Sequence, residues 1–191
     1  MTTKILTAVF FVIAICLGGY LVWSINESVQ QEARIESVED EVKDKLMLIR
    51  DAQIAYQAVN GQYTSEFPRL INFIDTGKFY LVQRKENIIT LEYGADSIYV
   101  EVDTLGTKPV QDSLFSNPDY RKFDLRSLSQ IPGSEKEFEM RADKIYTGNI
   151  EVDVFLVRDT DPVNPRRREN NNERALRVGS LTEATTSGNW Q

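Results

Sequence analysis

ILTAVFFVIAICLGGYLVW, Ile5 to Trp23, runs for 19 residues without a charge. As a helix rising about 1.5 Å per residue it would span roughly 28 Å, close to the thickness of a bilayer's hydrocarbon core. No other stretch of the chain is that long and that apolar. Two readings compete: a retained anchor and a cleaved signal peptide. The run is longer than a usual signal core, and it ends in Leu21-Val22-Trp23, a poor cleavage site, so the anchor is preferred. A lipoprotein reading would use Cys16, but Ile15 stands where a small residue is needed. Lys4 precedes the run, while Glu27, Glu32, Glu36, Glu39, Asp40 and Glu41 follow it. The positive-inside rule then puts residues 1–4 in the cytoplasm and everything after Trp23 in the periplasm. The expected partner of this segment is the inner membrane, crossed once.

Working outward, residues 24–60 read as one long amphipathic helix. Ser24 or Asn26 is the expected cap, and Asn60-Gly61 the left-handed stop. Ile35, Val38, Val42, Lys45, Ile49, Ala52, Tyr56 and Val59 alternate three and four residues apart, a heptad seam interrupted at Lys45. The helix is polar off the seam before Lys45 and apolar on more than one face after it. The expectation is a solvated stalk followed by a half packed on a domain. Val38, Val42, Ile49, Ala52, Tyr56 and Val59 are the candidate interaction residues, pairing with a second copy or another membrane helix. On that reading Val42→Asp or Ile49→Asp disperses an oligomer and leaves the sheet folded.

Residues 61–181 then form a small α+β domain, giving an α+β fold class overall with antiparallel strands. A short helix is expected over Thr64 to Asp75, stopped by Thr76-Gly77. Period-two alternation follows in FYLVQ (Phe79 to Gln83), NIITLEY (Asn87 to Tyr93) and SIYVEVD (Ser97 to Asp103), a three-stranded meander turning at Arg84-Lys85-Glu86 and Gly94-Ala95-Asp96. Leu105 to Ser134 reads as connection with a short element at Phe123 to Leu128. EFEMRADKI and NIEVDVFLV make a hairpin around Tyr146-Thr147-Gly148. Asp159 to Arg174 is a polar loop, Ala175 to Ser180 a last strand, and residues 182–191 a tail.

The totals exclude several chemistries. The chain of 191 residues carries a net charge of −7, which argues against nucleic acid as the partner. It has no histidine, the commonest general base and transition-metal ligand, and a single cysteine, so no intrachain disulfide. No nucleophile stands beside a base, and no phosphate-binding glycine loop occurs. Catalytic, cofactor and metal residues are therefore expected to be absent. Asp159-x-Asp161 with Asn164 resembles the start of a calcium loop but lacks its Gly and its last acid; the other reading is a solvated hairpin end. Arg166-Arg167-Arg168 is either a solvated loop or a dock for an acidic partner. Glu101 and Asp103 read as the wet face of a strand.

Ile49 to Leu70, IRDAQIAYQAVNGQYTSEFPRL, resembles the segment of type IV pilins and pseudopilins where the N-terminal helix ends in a Tyr-x-x-x-Asn-Gly-x-Tyr pattern. Here these are Tyr56, Asn60, Gly61 and Tyr63. The resemblance implies a subunit that packs by its N-terminal helix into a fibre. The family's leader pattern is not present: Gly18-Gly19 lie mid-anchor and no Glu precedes Glu27. The whole chain, including ALRVGSLTEATTSGNWQ, is also similar to uncharacterised single-pass envelope proteins of Bacteroidota, a resemblance that implies no activity. The expected function is a non-enzymatic structural or interaction subunit of a pilus- or secretion-like envelope assembly, homo- or hetero-oligomeric through the helix. The alternative is a membrane-anchored ligand-binding or sensing module, with a cleft between the sheet and Leu105 to Ser134 lined by Tyr80, Tyr93 or Tyr99.

Overall fold

The computed structural model describes residues 2–90, 96–169 and 174–190. Within them, the side chains of 2–10, 12, 14, 22, 25, 28, 84, 86–90, 96–99, 101 and 102 lie outside the description. Helix α1 runs from Thr2 to Asn60 in one piece. The cap expected at Ser24 or Asn26 therefore starts nothing, because a helix already under way satisfies those backbone groups. The chain divides into two units, Met1–Glu41 and Val42–Gln191. The first is the leading part of α1. Among the described residues no helix is long and apolar enough to cross a membrane. The expected anchor falls partly outside them, since the side chains of 5–10, 12, 14 and 22 are not described.

The second unit is α+β and is built on the trailing part of α1. Val42, Leu46, Leu48, Ile49, Ala52 and Ala55 are buried there. Residues 42, 46, 49 and 52 lie three or four apart on one stripe, and Leu48 and Ala55 widen it, so the helix is gripped over more than a seam. Gly61 ends α1 with φ +78, its N–H donating to the Gln57 carbonyl at 2.8 Å. That left-handed residue is the expected stop.

Helix α2, Phe67–Thr76, follows. It begins three residues later than expected. Pro68 sits in its first turn, where a missing N–H costs nothing. Thr64 shapes the approach instead, its hydroxyl accepting the Glu66 N–H. Leu70 and Ile74 are the buried residues of α2.

Two antiparallel sheets follow, and the first is a two-stranded ribbon where a three-stranded meander was expected. Strands β1 (Lys78–Thr90) and β2 (Asp96–Pro109) form a two-stranded ribbon. The turn expected at Arg84-Lys85-Glu86 is a correction: these residues are mid-strand, with Lys85 opposite Glu101 and Arg84 opposite Val102. The run lacks a glycine or asparagine to take a turn, and the opposed charges favour pairing. Of the expected strand Asn87 to Tyr93, residues 91–93 lie outside the description, as do Gly94 and Ala95 of the second turn. The ribbon's register shifts at Leu81/Val82, which pair with Gly106 and Thr104 and leave Leu105 as a bulge.

A short helix α3 (Val110–Leu114) closes the ribbon's root, where the Val110 N–H donates to the Gly77 carbonyl at 2.9 Å. Single 3-10 turns at Pro118–Tyr120 and Leu125–Ser127 organise the connection, the second at the short element expected over Phe123 to Leu128. The second sheet has the order β3-β4-β5, with β3 Glu139–Thr147, β4 Ile150–Arg158 and β5 Arg177–Gly179. The β3–β4 turn is Gly148-Asn149, one step later than expected, because Thr147 pairs with Ile150. Gly148 takes φ +65, which suits a two-residue connection.

The core lies where these elements meet. Leu70 and Ile74 of α2, Val110 and Leu114 of α3, Leu128 and Ile131 of the connection, and Met140, Val154, Phe155, Val157 and Val178 of the sheet are all buried. The segment read as a tail is a further correction. Gly188 is buried and bridges Val178, the Asn189 N–H donates to the Arg177 carbonyl, and the Asn189 side chain both donates to the Ala175 carbonyl and accepts the Arg177 N–H. One asparagine thus supplies a peptide-like donor and acceptor at the start of the last strand.

Candidate functional site

The polar face of α1 fastens the connection to the core. Lys45 is 4% exposed, and its ammonium donates to the Ser127 and Gln130 carbonyls at 2.5 and 2.7 Å. The same ammonium lies 5.9 Å from the Phe123 ring centre. Asp51 accepts the Tyr120 hydroxyl at 2.6 Å and pairs with Arg50, while Asp44 pairs with Lys122 at 2.7 Å. Burial, and then the bond to Asp51, pushes the Tyr120 hydroxyl well above the usual tyrosine range. Lys45 is therefore no break in the seam but the hydrogen-bond donor to the last carbonyl of the Leu125–Ser127 turn and to the Gln130 carbonyl beyond it. Lys45→Met keeps the stem and takes the ammonium from both carbonyls, of which that of Ser127 still accepts the Gln130 N–H at 3.0 Å. We expect it to cost about 1–3 kcal/mol, read as a lower denaturant midpoint of the full-length chain.

Of the candidate seam residues, Val42, Ile49 and Ala52 are buried in the chain's own core. Tyr56 is half-buried and packs edge-on against Phe73 of α2 with ring centres 5.1 Å apart. Val59 is 44% exposed, and Val38 lies half-buried in the first unit. The structure thus commits the middle of the seam to intrachain packing. Asn60 is exposed and donates to the Tyr56 carbonyl at 3.0 Å, Gly61 makes the stop, and Tyr63 packs on Phe155 at 4.7 Å. Burial and the nearby Asp153 raise the Tyr63 hydroxyl's pKa. The two tyrosines pack as expected, although Tyr56 meets α2 rather than the sheet. Sequence reasoning missed Gln53, which is fully buried. Its amide donates to the Thr64 carbonyl at 2.6 Å and accepts the Thr64 N–H at 3.1 Å, closing the corner after α1. An amide among apolar seam positions was the available signal.

The acidic loop is fastened, not solvated. Asp159 is 2% exposed. Its carboxylate accepts the Asp161 N–H at 2.8 Å, and its own N–H donates to the Leu176 carbonyl. Asp161 accepts the Ser134 hydroxyl at 2.7 Å and faces Lys136 at 3.3 Å, and these partners lower its pKa, the hydroxyl foremost. Asn164 caps the 3-10 turn Pro165–Arg167. Arg167 donates to the Arg174 carbonyl and Arg168 to the Pro162 carbonyl. Each member of the calcium-like run is bound into the loop, and among the described residues no group of three or more metal-ligating side chains converges.

Burial raises the Asp159 pKa, and the Asp161 carboxylate adds to it, against the Asp161 N–H and the Arg167 and Arg168 charges. A raised folded value means its protonated form favours folding at acid pH. That contribution is lost as pH rises through the folded value. Asp159→Asn keeps an acceptor for Asp161 and cannot ionise. We expect it to raise the urea midpoint at about pH 7 and to lose that advantage as pH falls through the raised folded value towards about 3.9.

Of the three tyrosines named for a ligand cleft, the structure describes the side chain of one. Tyr80 is 69% exposed, Tyr93 lies outside the described residues, and so does the Tyr99 side chain. A groove of about 500 Å³ lies between α2 and the connection, lined by Pro68, Ile71, Asn72, Asp75, Asp124, Leu125 and Arg126. Among the described residues the second unit exposes apolar side chains at the β3–β4 hairpin, Tyr146 by 75% and Ile150 by 69%, and along the ribbon. Tyr80, Leu81, Val82 and Leu105 are exposed by 69, 50, 54 and 65%, and no residue of β1 or β2 with a described side chain is buried. No family model, curated protein or solved structure matches this chain.

Proposed function

We propose that the chain is a membrane-tethered, non-catalytic subunit of an envelope assembly, displaying its α+β unit in the periplasm and acting by protein–protein contact. The observation that carries this reading is the ribbon. A two-stranded ribbon is marginal alone in water, and exposed apolar residues clustered on one mark a contact surface. The uncharged run Ile5 to Trp23, with Lys4 before it and acids after it, supports the tether and its direction. The residues that looked reactive, Asp159, Asp161 and the arginines after them, are occupied in holding a loop, which supports a contact role over a chemical one.

Two measurements on the full-length chain test this. Alkaline carbonate washing of membranes is expected to leave it in the pellet, and release into the supernatant rejects the tether. Crosslinking in intact membranes is expected to give species larger than the monomer, and a strict monomer rejects the assembly.

A further inference from the structure

The ribbon has two long open edges. At about 3.4 Å per residue, β1 with its 13 residues extends roughly 44 Å, and β2 is one residue longer. Each strand has a single strand neighbour among the described residues, the other strand of the ribbon. Natural proteins shorten, cover or charge such edges, because a row of unpaired N–H and C=O groups templates another strand. Here the edges are long, and the exposed Tyr80, Leu81 and Val82 lie on one strand with the bulged Leu105 on the other.

The two strands differ in charge. β1 carries Lys78, Arg84 and Lys85 against Glu86, a net +2. β2 carries Asp96, Glu101 and Asp103 against Lys108, a net −2. Within the ribbon this opposition is used once, as in Lys85 opposite Glu101. Side chains project from the faces of a sheet, so a strand added at an outer edge meets the same charges as the ribbon's own neighbour does. Like strands meeting edge to edge would set +2 against +2 or −2 against −2, which is unfavourable for directly opposed charges. Unlike strands are opposite in charge and within one residue of each other in length.

We propose that the β1–β2 ribbon is a self-docking arm, in which the outer edge of β2 in one copy pairs antiparallel with the outer edge of β1 in the next. The occupant is a second copy of this chain. The contact is head-to-tail, so it leaves an open β1 at one end and an open β2 at the other and can add further copies. Pairing covers Tyr80, Val82 and Leu105 along the joint. The proposal deepens the assembly reading and rests on it, while it does not require the helix seam.

The test uses the full-length chain with Cys16→Ala, which removes the sole cysteine. Leu81→Cys and Leu105→Cys are made separately, given different tags, and co-expressed. Both positions are exposed, so the fold should tolerate them. Membranes are treated with a short bis-maleimide. The expected result is mixed-tag dimer in excess of random pairing, lost when Lys85→Glu is added to the Leu81→Cys copy. Like-tag dimers in excess overturn the head-to-tail pairing. Crosslinks into a different protein alone overturn self-docking and leave the assembly reading standing. No crosslink at either position, in membranes where lysine-reactive crosslinking still gives oligomers, overturns the arm. No oligomer by either chemistry overturns the assembly reading as well.

Discussion

Gly179→Ala is expected to destabilise the second unit by about 3–5 kcal/mol, among the larger effects a single added methyl can have. Gly179 holds φ +74, where a β-carbon costs about 1–2 kcal/mol by itself. A β-carbon there would also lie 2.1 Å from the Phe155 carbonyl oxygen and 3.1 Å from its carbon. Both are backbone atoms of β4, so no side chain can turn aside. Relief requires β5 to part from β4, breaking the Leu156 to Gly179 pairing and the bond from the Gly179 N–H to the Ser187 carbonyl. The closing segment loses its strand at the same time. Urea unfolding measures the loss, and hydrogen exchange at the Asn189 amide shows whether this corner opens first. Gly106→Ala is the control. Its β-carbon meets nothing within 4 Å, and we expect a change within about 0.5 kcal/mol.

Ile49→Asp is expected to prevent the second unit from folding. Ile49 has no exposed surface, and an ionised carboxylate there would be buried without a partner, a penalty of several kcal/mol against a total stability of about 5–15 kcal/mol. Circular dichroism of the full-length chain should lose its strand signal. Val38→Asp, in the first unit and only half-buried, should leave that signal intact. The pair separates two meanings of a heptad. If Ile49→Asp dissolved an oligomer and spared the sheet, the helix would be an interface at that level. The burial of Val42, Ile49 and Ala52 argues that it is a core strut.

The elements that local stereochemistry decides were legible in the sequence. Asn60-Gly61 ends the helix because the left-handed residue after it must be nearly free of steric cost, and glycine is. The β3–β4 hairpin followed from alternation either side of Gly148, with its turn off by one residue. Long-range partners were not legible. The three-four spacing from Ile35 to Val59 is the same whether the stripe meets another helix or its own domain. The partners this helix finds here, Ser127 and Gln130 for Lys45, Tyr120 for Asp51 and Met140 for Gln53, are far away in sequence. Arg84-Lys85-Glu86 looked like a turn because charge clusters mark surfaces, but an exposed strand is also a surface, and Glu101 stands opposite Lys85. The last ten residues gave no periodicity at all, yet a buried Gly188 and a bifunctional Asn189 hold them. Of the candidate site, the loop acids read as a solvated hairpin end, whereas Asp159 is buried and its N–H donates to the carbonyl of Leu176, a partner that local sequence does not reveal.

The corner after α1 has one more implication. Gln53 grips the peptide group of residue 64 and ignores what that residue carries. Tolerance to change should therefore be lopsided: position 64 admits serine or valine with modest loss, whereas at position 53 asparagine is a carbon too short and glutamate has no proton to offer the carbonyl. A mutational scan would find the conspicuous threonine forgiving and the unremarked glutamine nearly invariant.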